Sequence, residues 1–137
     1  HPMMTLFDAP DRESCCVMRS RSNTALQSLG LLNETQRVEM SRKLAERLIR
    51  STDSDERRLD LLYGLVSSRK ASAKEKAACL NLVKNMRERY KDSEQDATEL
   101  VSAGDAPRDQ KIDVVELAAW TQLTTIVLAS DAAILIY

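Results

Sequence analysis

The densest run of chemically capable side chains is Asp11-Arg12-Glu13-Ser14-Cys15-Cys16-Val17-Met18-Arg19-Ser20-Arg21-Ser22. Guanidinium forks at Arg12, Arg19 and Arg21, with hydroxyls such as Ser14 between them, suit the bidentate geometry of phosphate, sulfate or carboxylate. The same arginines can instead pair with Asp8, Asp11 and Glu13, or with another domain, and so pin the segment in place. Pinning is the reading carried forward, with an anion site as its alternative. Cys15 stands beside Arg12, where a cation favours a thiolate, but no imidazole is at hand to activate it. The sole histidine is His1, which leaves no imidazole in the body of the chain for a Ser/His/Asp triad or a His-rich metal site. Asp105, Asp109 and Asp113 gather near one loop and could hold a divalent cation. Their spacing lacks the glycine and twelfth-position glutamate of an EF-hand, and helix capping and loop solubility account for them. No catalytic or metal-ligating residue is therefore assigned, and the binding candidates are Arg12, Arg19, Arg21 and Ser14.

The three cysteines, Cys15, Cys16 and Cys79, are an odd set with one adjacent pair, which ordinary disulfide geometry does not bridge to itself. A bridge from Cys79 to either of the others and three free thiols are both open. Cys-x-x-Cys and Cys-x-x-Cys-His are absent, so this chain carries no covalent haem motif and no zinc ribbon; no cofactor is expected here, and haem only in a separate domain.

A net charge of -1 conceals a polarity: residues 1–91 hold 18 Lys/Arg against 12 Asp/Glu, and residues 92–137 hold 2 against 9. The two parts can attract each other within the fold, or the basic part can face an acidic partner. Arg42, Lys43, Arg47 and Arg50 on one helix, and Lys74, Lys76, Lys84, Arg87 and Lys91 on another, raise the question of nucleic acid. Interspersed glutamates and near-neutral overall charge argue against it. The opening His-Pro-Met-Met-Thr-Leu-Phe-Asp has neither the charged nor the apolar region of a signal peptide. Leu117 to Ala129 is uncharged but too short and too rich in Thr and Gln to span a bilayer.

The elements that must position these residues are helices. Three glycines, three prolines and five aromatics in 137 residues supply too few turn and strand formers for an all-β chain. Residues 1–22 show no sustained period and read as an extended charged arm; residues 23–137 read as one helical domain. A short helix over 24–32 presents Leu26, Leu29 and Leu31/Leu32. Asn33 with Gln36 has capping-box spacing before a helix at 34–50. Leu59, Leu62, Tyr63 and Val66 recur at helical spacing over 55–67. Ser72 with Glu75 opens a long helix over 73–91 that carries Cys79, Leu82, Val83, Met86 and Tyr90. Ser93 caps a fifth helix, which Gly104 ends in the left-handed region. Asp113 with Glu116 opens a sixth over 114–129, with Trp120 as a core residue between Leu117 and Leu123. Ile134-Leu135-Ile136-Tyr137 is either a strand or an apolar segment docked on the core. The expected architecture is all-α, a compact bundle of about six helices with an extended N-terminal arm.

Phe7-Asp8-Ala9-Pro10-Asp11-Arg12-Glu13-Ser14-Cys15, then Arg19 to Leu29 and Leu31-Leu32-Asn33-Glu34, carry a resemblance that resumes over Arg57 to Val83 and at Glu116-Leu117-Ala118-Ala119-Trp120-Thr121. The chain resembles the C-terminal domain of unknown function of large, secreted planctomycete-type proteins, often accompanied by a cytochrome c domain. Ala129-Ser130-Asp131-Ala132 stands where that family has a Leu-Asn-x-Asp/Glu-like ending. The resemblance implies the tail of a larger extracytoplasmic polypeptide, with an upstream domain of that polypeptide as partner. It supplies no catalytic residue. The expectation is a noncatalytic interaction domain whose docking strip is the arm around Arg12, Arg19 and Arg21. The alternative is part of an extracytoplasmic enzyme or redox-associated protein, in which the arm helps bind an anionic ligand.

Overall fold

A computed structural model describes residues 34–130, together with Ala25, Leu26 and Ala133. Among the described residues all regular structure is helical: α1 (Thr35–Ser51), α2 (Asp55–Ser67), α3 (Ala73–Asp92), α4 (Glu94–Val101) and α5 (Val114–Leu128). Five of the six expected helices are thus described. The remaining one, the first in the chain, falls on 24–32, where Ala25 and Leu26 are helical and the rest lies outside the described residues, as do the arm and Ile134–Tyr137.

Local chemistry sets most of the boundaries. Ser72 and Glu75 form the expected reciprocal box: Glu75 N donates to Ser72 Oγ (3.2 Å) and Ser72 N to Glu75 Oε2 (2.8 Å). Arg69 grips the same carboxylate through both terminal nitrogens, at 2.9 and 2.7 Å, and this pairing first, then the Ser72 amide, holds the Glu75 carboxyl at about 2. Helix α2 places Asp55 and Glu56 in its first turn, where the positive end of the helix favours them. It closes on Ser68 in the left-handed region, whose N–H reaches Gly64 O.

Three expectations are corrected. Glu34, with extended backbone and no side-chain cap bond, precedes α1, and Asn33 lies outside the described residues. Ser93 precedes α4 but its side chain caps nothing. Helix α4 ends at Ser102 in ordinary right-handed geometry; the positive φ of Gly104 (91°) belongs to the following loop.

The core sits around α5, which packs mainly against α1 and α3 and also against α4, while α2 leans on α1 and α3. Ten of the 15 residues of α5 are buried, on every side of the helix, so it is a central element and not an amphipathic one. Leu48, Leu59, Leu62, Val83, Val101, Leu117, Trp120 and Leu123 fill the centre. The threonines of α5 reach the interior by bonding back to their own helix: Thr121 Oγ1 donates to Leu117 O (2.7 Å) and Thr125 Oγ1 to Thr121 O (2.7 Å). Thr124 Oγ1 also lies 2.9 Å from Ser41 O, a polar tie between α5 and α1. Arg37 and Ser41 meet Thr125, Leu128 and Ala129, so α1 runs antiparallel to α5.

Candidate functional site

The charged residues that the fold brings together lie where α2, α3 and α5 converge. Helix α2 supplies Asp55 and Arg58 from its first turn, α3 supplies Arg87, and α5 supplies Glu116. Arg87 is held on both sides: Nε donates to Glu116 Oε2 (2.7 Å), Nη2 to Glu116 Oε1 (2.6 Å), and Nη1 and Nη2 to the two oxygens of Asp55 (2.7 and 2.9 Å). Arg58 Nη1 adds bonds to Glu116 (2.8 Å) and Asp55 (3.2 Å), and its Nε donates to Thr52 O (2.7 Å). Trp120 Nε1 donates to Glu116 Oε1 at 3.1 Å, and the Arg58 guanidinium stands over the indole, 5.5 Å from its centre. Two cations and two anions are thus closed on one another around a buried ring.

The electrostatics follow from this pairing. The bond from Arg87, with the charges of Arg87 and Arg58 behind it, holds the Asp55 carboxyl below its ordinary range against the opposing effect of burial. Burial pushes the Glu116 carboxyl up, but Arg87 and Arg58 together outweigh it and leave it lowered. Arg87 is raised first by its bond to Glu116 and then by that to Asp55. The two carboxylates and two guanidinium groups are thus matched to one another as ion pairs across three helices.

Glu116 shows why the sequence did not disclose the cluster. Its spacing from Asp113 matches a capping box, and half of the box exists: Asp113 accepts from Glu116 N at 2.9 Å. The Glu116 carboxylate does not reach back to close it, because it is taken by the two arginines and the indole. Arg87 reads as one more cation of a solvated helix face, and nothing local marks it as the partner of residues 32 positions earlier and 29 later.

A second polar assembly joins the two oppositely charged parts of the chain. Arg42 belongs to no continuous basic face; it is buried, donating to Val101 O (3.0 Å) and Ala106 O (2.6 Å). Arg50 pairs with Asp109, whose carboxylate also accepts from Lys111 N. Asp105, Asp109 and Asp113 are therefore dispersed along a loop and a cap, and among the described residues no group of three or more His, Cys, Asp and Glu could hold a metal ion. Cys79 is a free, buried thiol 3.8 Å from Tyr63 Oη, and burial is the main cause of its raised pKa. Arg12, Ser14, Cys15, Cys16, Arg19 and Arg21 lie outside the described residues. Among the described residues no helix is long and apolar enough to cross a membrane.

Fold and cluster define a class: an all-helical domain whose helices are keyed together by a shared ion cluster. The family model described as PSD1, a protein of unknown function (DUF1553), matches residues 1–83, and the chain belongs to this family. The matched stretch takes in the Phe7–Cys15 motif and Arg57–Val83 and ends before Glu116–Thr121. No curated protein and no solved structure matches the chain.

Proposed function

We propose that this chain is a noncatalytic helical interaction domain of a larger, secreted, planctomycete-type polypeptide, and that it packs against an upstream part of that polypeptide through the arm around Arg12, Ser14, Arg19 and Arg21. One observation supports the reading: Asp55, Arg58, Arg87 and Glu116, the strongest gathering of ionic side chains among the described residues, bind one another, with Glu116 also accepting from Trp120, so they join helices. The placement at the C-terminus of a longer extracytoplasmic protein rests on the resemblance of the Phe7–Cys15 and Arg19–Leu29 motifs. The role of the arm rests on the chemistry of its three guanidinium groups.

The test is co-purification of this domain with the remainder of its polypeptide, expressed as two pieces, for the wild type and for Arg19→Glu with Arg21→Glu. Loss of association with an unchanged melting temperature is the expected result. Association that survives the double charge reversal refutes the docking strip. Binding of a sulfated or phosphorylated ligand that is lost on Arg12→Ala would favour the anion-site alternative instead.

A further inference from the structure

We infer that residues 102–113 form a latch that lifts from α1 as one unit while the helices remain folded. Two independent observations meet here. The first is how the segment is held. Within residues 102–113 none belongs to the buried core, and Ile112 only leans against it. The attachment is a row of polar contacts from one face of α1. Glu39 accepts from Asp105 N (2.7 Å), Arg42 Nη2 donates to Ala106 O (2.6 Å), Lys43 Nζ donates to Pro107 O (2.7 Å), Glu46 accepts from Asp109 N (3.0 Å), and Arg50 pairs with the Asp109 carboxylate. The order along the helix repeats the order along the segment, so the contacts form and break in register.

The second observation is Gly104, at the end of the segment nearest α4. Its φ of 91° disfavours a side chain, and a Cβ there would run into the Glu39 carboxylate. The first contact of the row therefore depends on a residue without a side chain. The contacts of Glu39, Lys43 and Arg50 are exposed and trade readily for bonds to water, and Arg42 and Glu46, buried beneath the segment, gain water when it lifts; the helices, in contrast, are joined by apolar burial and by the ion cluster on α2, α3 and α5. Among the described residues the segment is thus the one held with least apolar burial, and it can open without the rest. Arg42 sets the limit of the motion: its second donor goes to Val101 O at the end of α4, so the guanidinium stays anchored when the latch lifts. Opening uncovers the two buried charges of this α1 face, Arg42 and Glu46, while Glu39, Lys43 and Arg50 along the same row lose their partners in the segment.

Native-state hydrogen exchange on the full chain tests this. The amides of Asp105 and Asp109, whose acceptors are Glu39 and Glu46 on α1, are expected to exchange through an opening about ten-fold or more frequent than the one that exposes Leu117–Leu123 in α5. Gly104→Ala should accelerate the latch amides by a further order of magnitude or so and leave those of α5 within about two-fold. Arg50→Ala, a change at an exposed side chain that keeps the fold, should accelerate the same amides in the same sense. A common exchange rate for latch and α5 in the wild type overturns the inference. So does a parallel acceleration of both regions in Arg50→Ala.

Discussion

Glu116→Ala puts the ion cluster to a quantitative test. Glu116 accepts from Arg87 twice (2.7 and 2.6 Å), from Arg58 (2.8 Å) and from Trp120 Nε1 (3.1 Å). Its removal leaves Arg58, whose side chain is 7% exposed, with Asp55 and Thr52 O as acceptors, and leaves the buried indole N–H with none. Breaking a fully buried ion pair costs about 3–5 kcal/mol. The Glu116 side chain is 25% exposed, and Arg87 keeps both bonds to Asp55, so the expected loss is smaller, roughly 2–3 kcal/mol. For a domain of this size about 3 °C corresponds to each kcal/mol, and the melting temperature should fall by roughly 6–9 °C. The Asp55 and Glu116 carboxyls lie below their ordinary values in the folded chain, so the unfolded chain binds protons more readily. Their contribution is complete above the unfolded carboxyl range, about pH 5 and upward, and is lost as pH falls through the lowered folded values. Thermal melts from pH 7 to pH 3, followed by far-UV circular dichroism and by the fluorescence of Trp120, the sole tryptophan, read both effects. Glu116→Gln keeps an acceptor for the indole but removes the charge, and should flatten the acid limb of the curve. A Glu116→Ala protein within about 0.5 kcal/mol of the wild type, or an unchanged pH slope in Glu116→Gln, refutes the assignment of the cluster as the key between helices.

Arg42→Met leaves Val101 O and Ala106 O without their donor and should cost about 2 kcal/mol by denaturant unfolding, whereas the exposed Arg47→Met should stay within about 0.5 kcal/mol. Ser72→Ala opens the capping box of α3 and should cost about 1 kcal/mol, again by denaturant unfolding, with Glu75 still held by Arg69. With Cys15 and Cys16 replaced by serine, Cys79 should react with a thiol reagent only as fast as the protein opens, since burial both shields the sulfur and raises its pKa; rapid labelling of the native protein would contradict its placement.

The helices were legible because each rests on neighbours in sequence. Ser72 and Glu75 announce α3, Leu59, Leu62 and Tyr63 mark the inner side of α2, and Trp120 between Leu117 and Leu123 is a core residue in both readings. What the sequence concealed depends on residues far apart. Arg42 and Arg47 are indistinguishable as letters on a charged helix; only the path of residues 101–106 decides that one is buried and the other exposed. Asp113 and Glu116 show the same limit from the other side. A local rule is half obeyed, since two guanidinium groups and an indole outbid the backbone for one carboxylate.

The position of Glu116 also bears on what the family-matched stretch can do by itself. Helix α5 carries no other charge, and that one lies in its first turn, where α2 and α3 both reach it. Apolar packing around a helix buried on every side leaves its rotation and register weakly determined, and a single half-buried carboxylate held by Arg58 of α2 and Arg87 of α3 supplies that selection. Residues 1–83 contain Asp55 and Arg58 but neither Arg87 nor Glu116; they leave the apolar side of α1 without α5 to cover it and end partway along α3, on which α2 leans. A chain truncated after residue 83 should therefore retain helical circular dichroism without a cooperative melt, while residues 1–137 melt in one transition. A cooperative transition in the truncated chain would show that α1 and α2 find another core, and that α5 and its carboxylate do not select the fold.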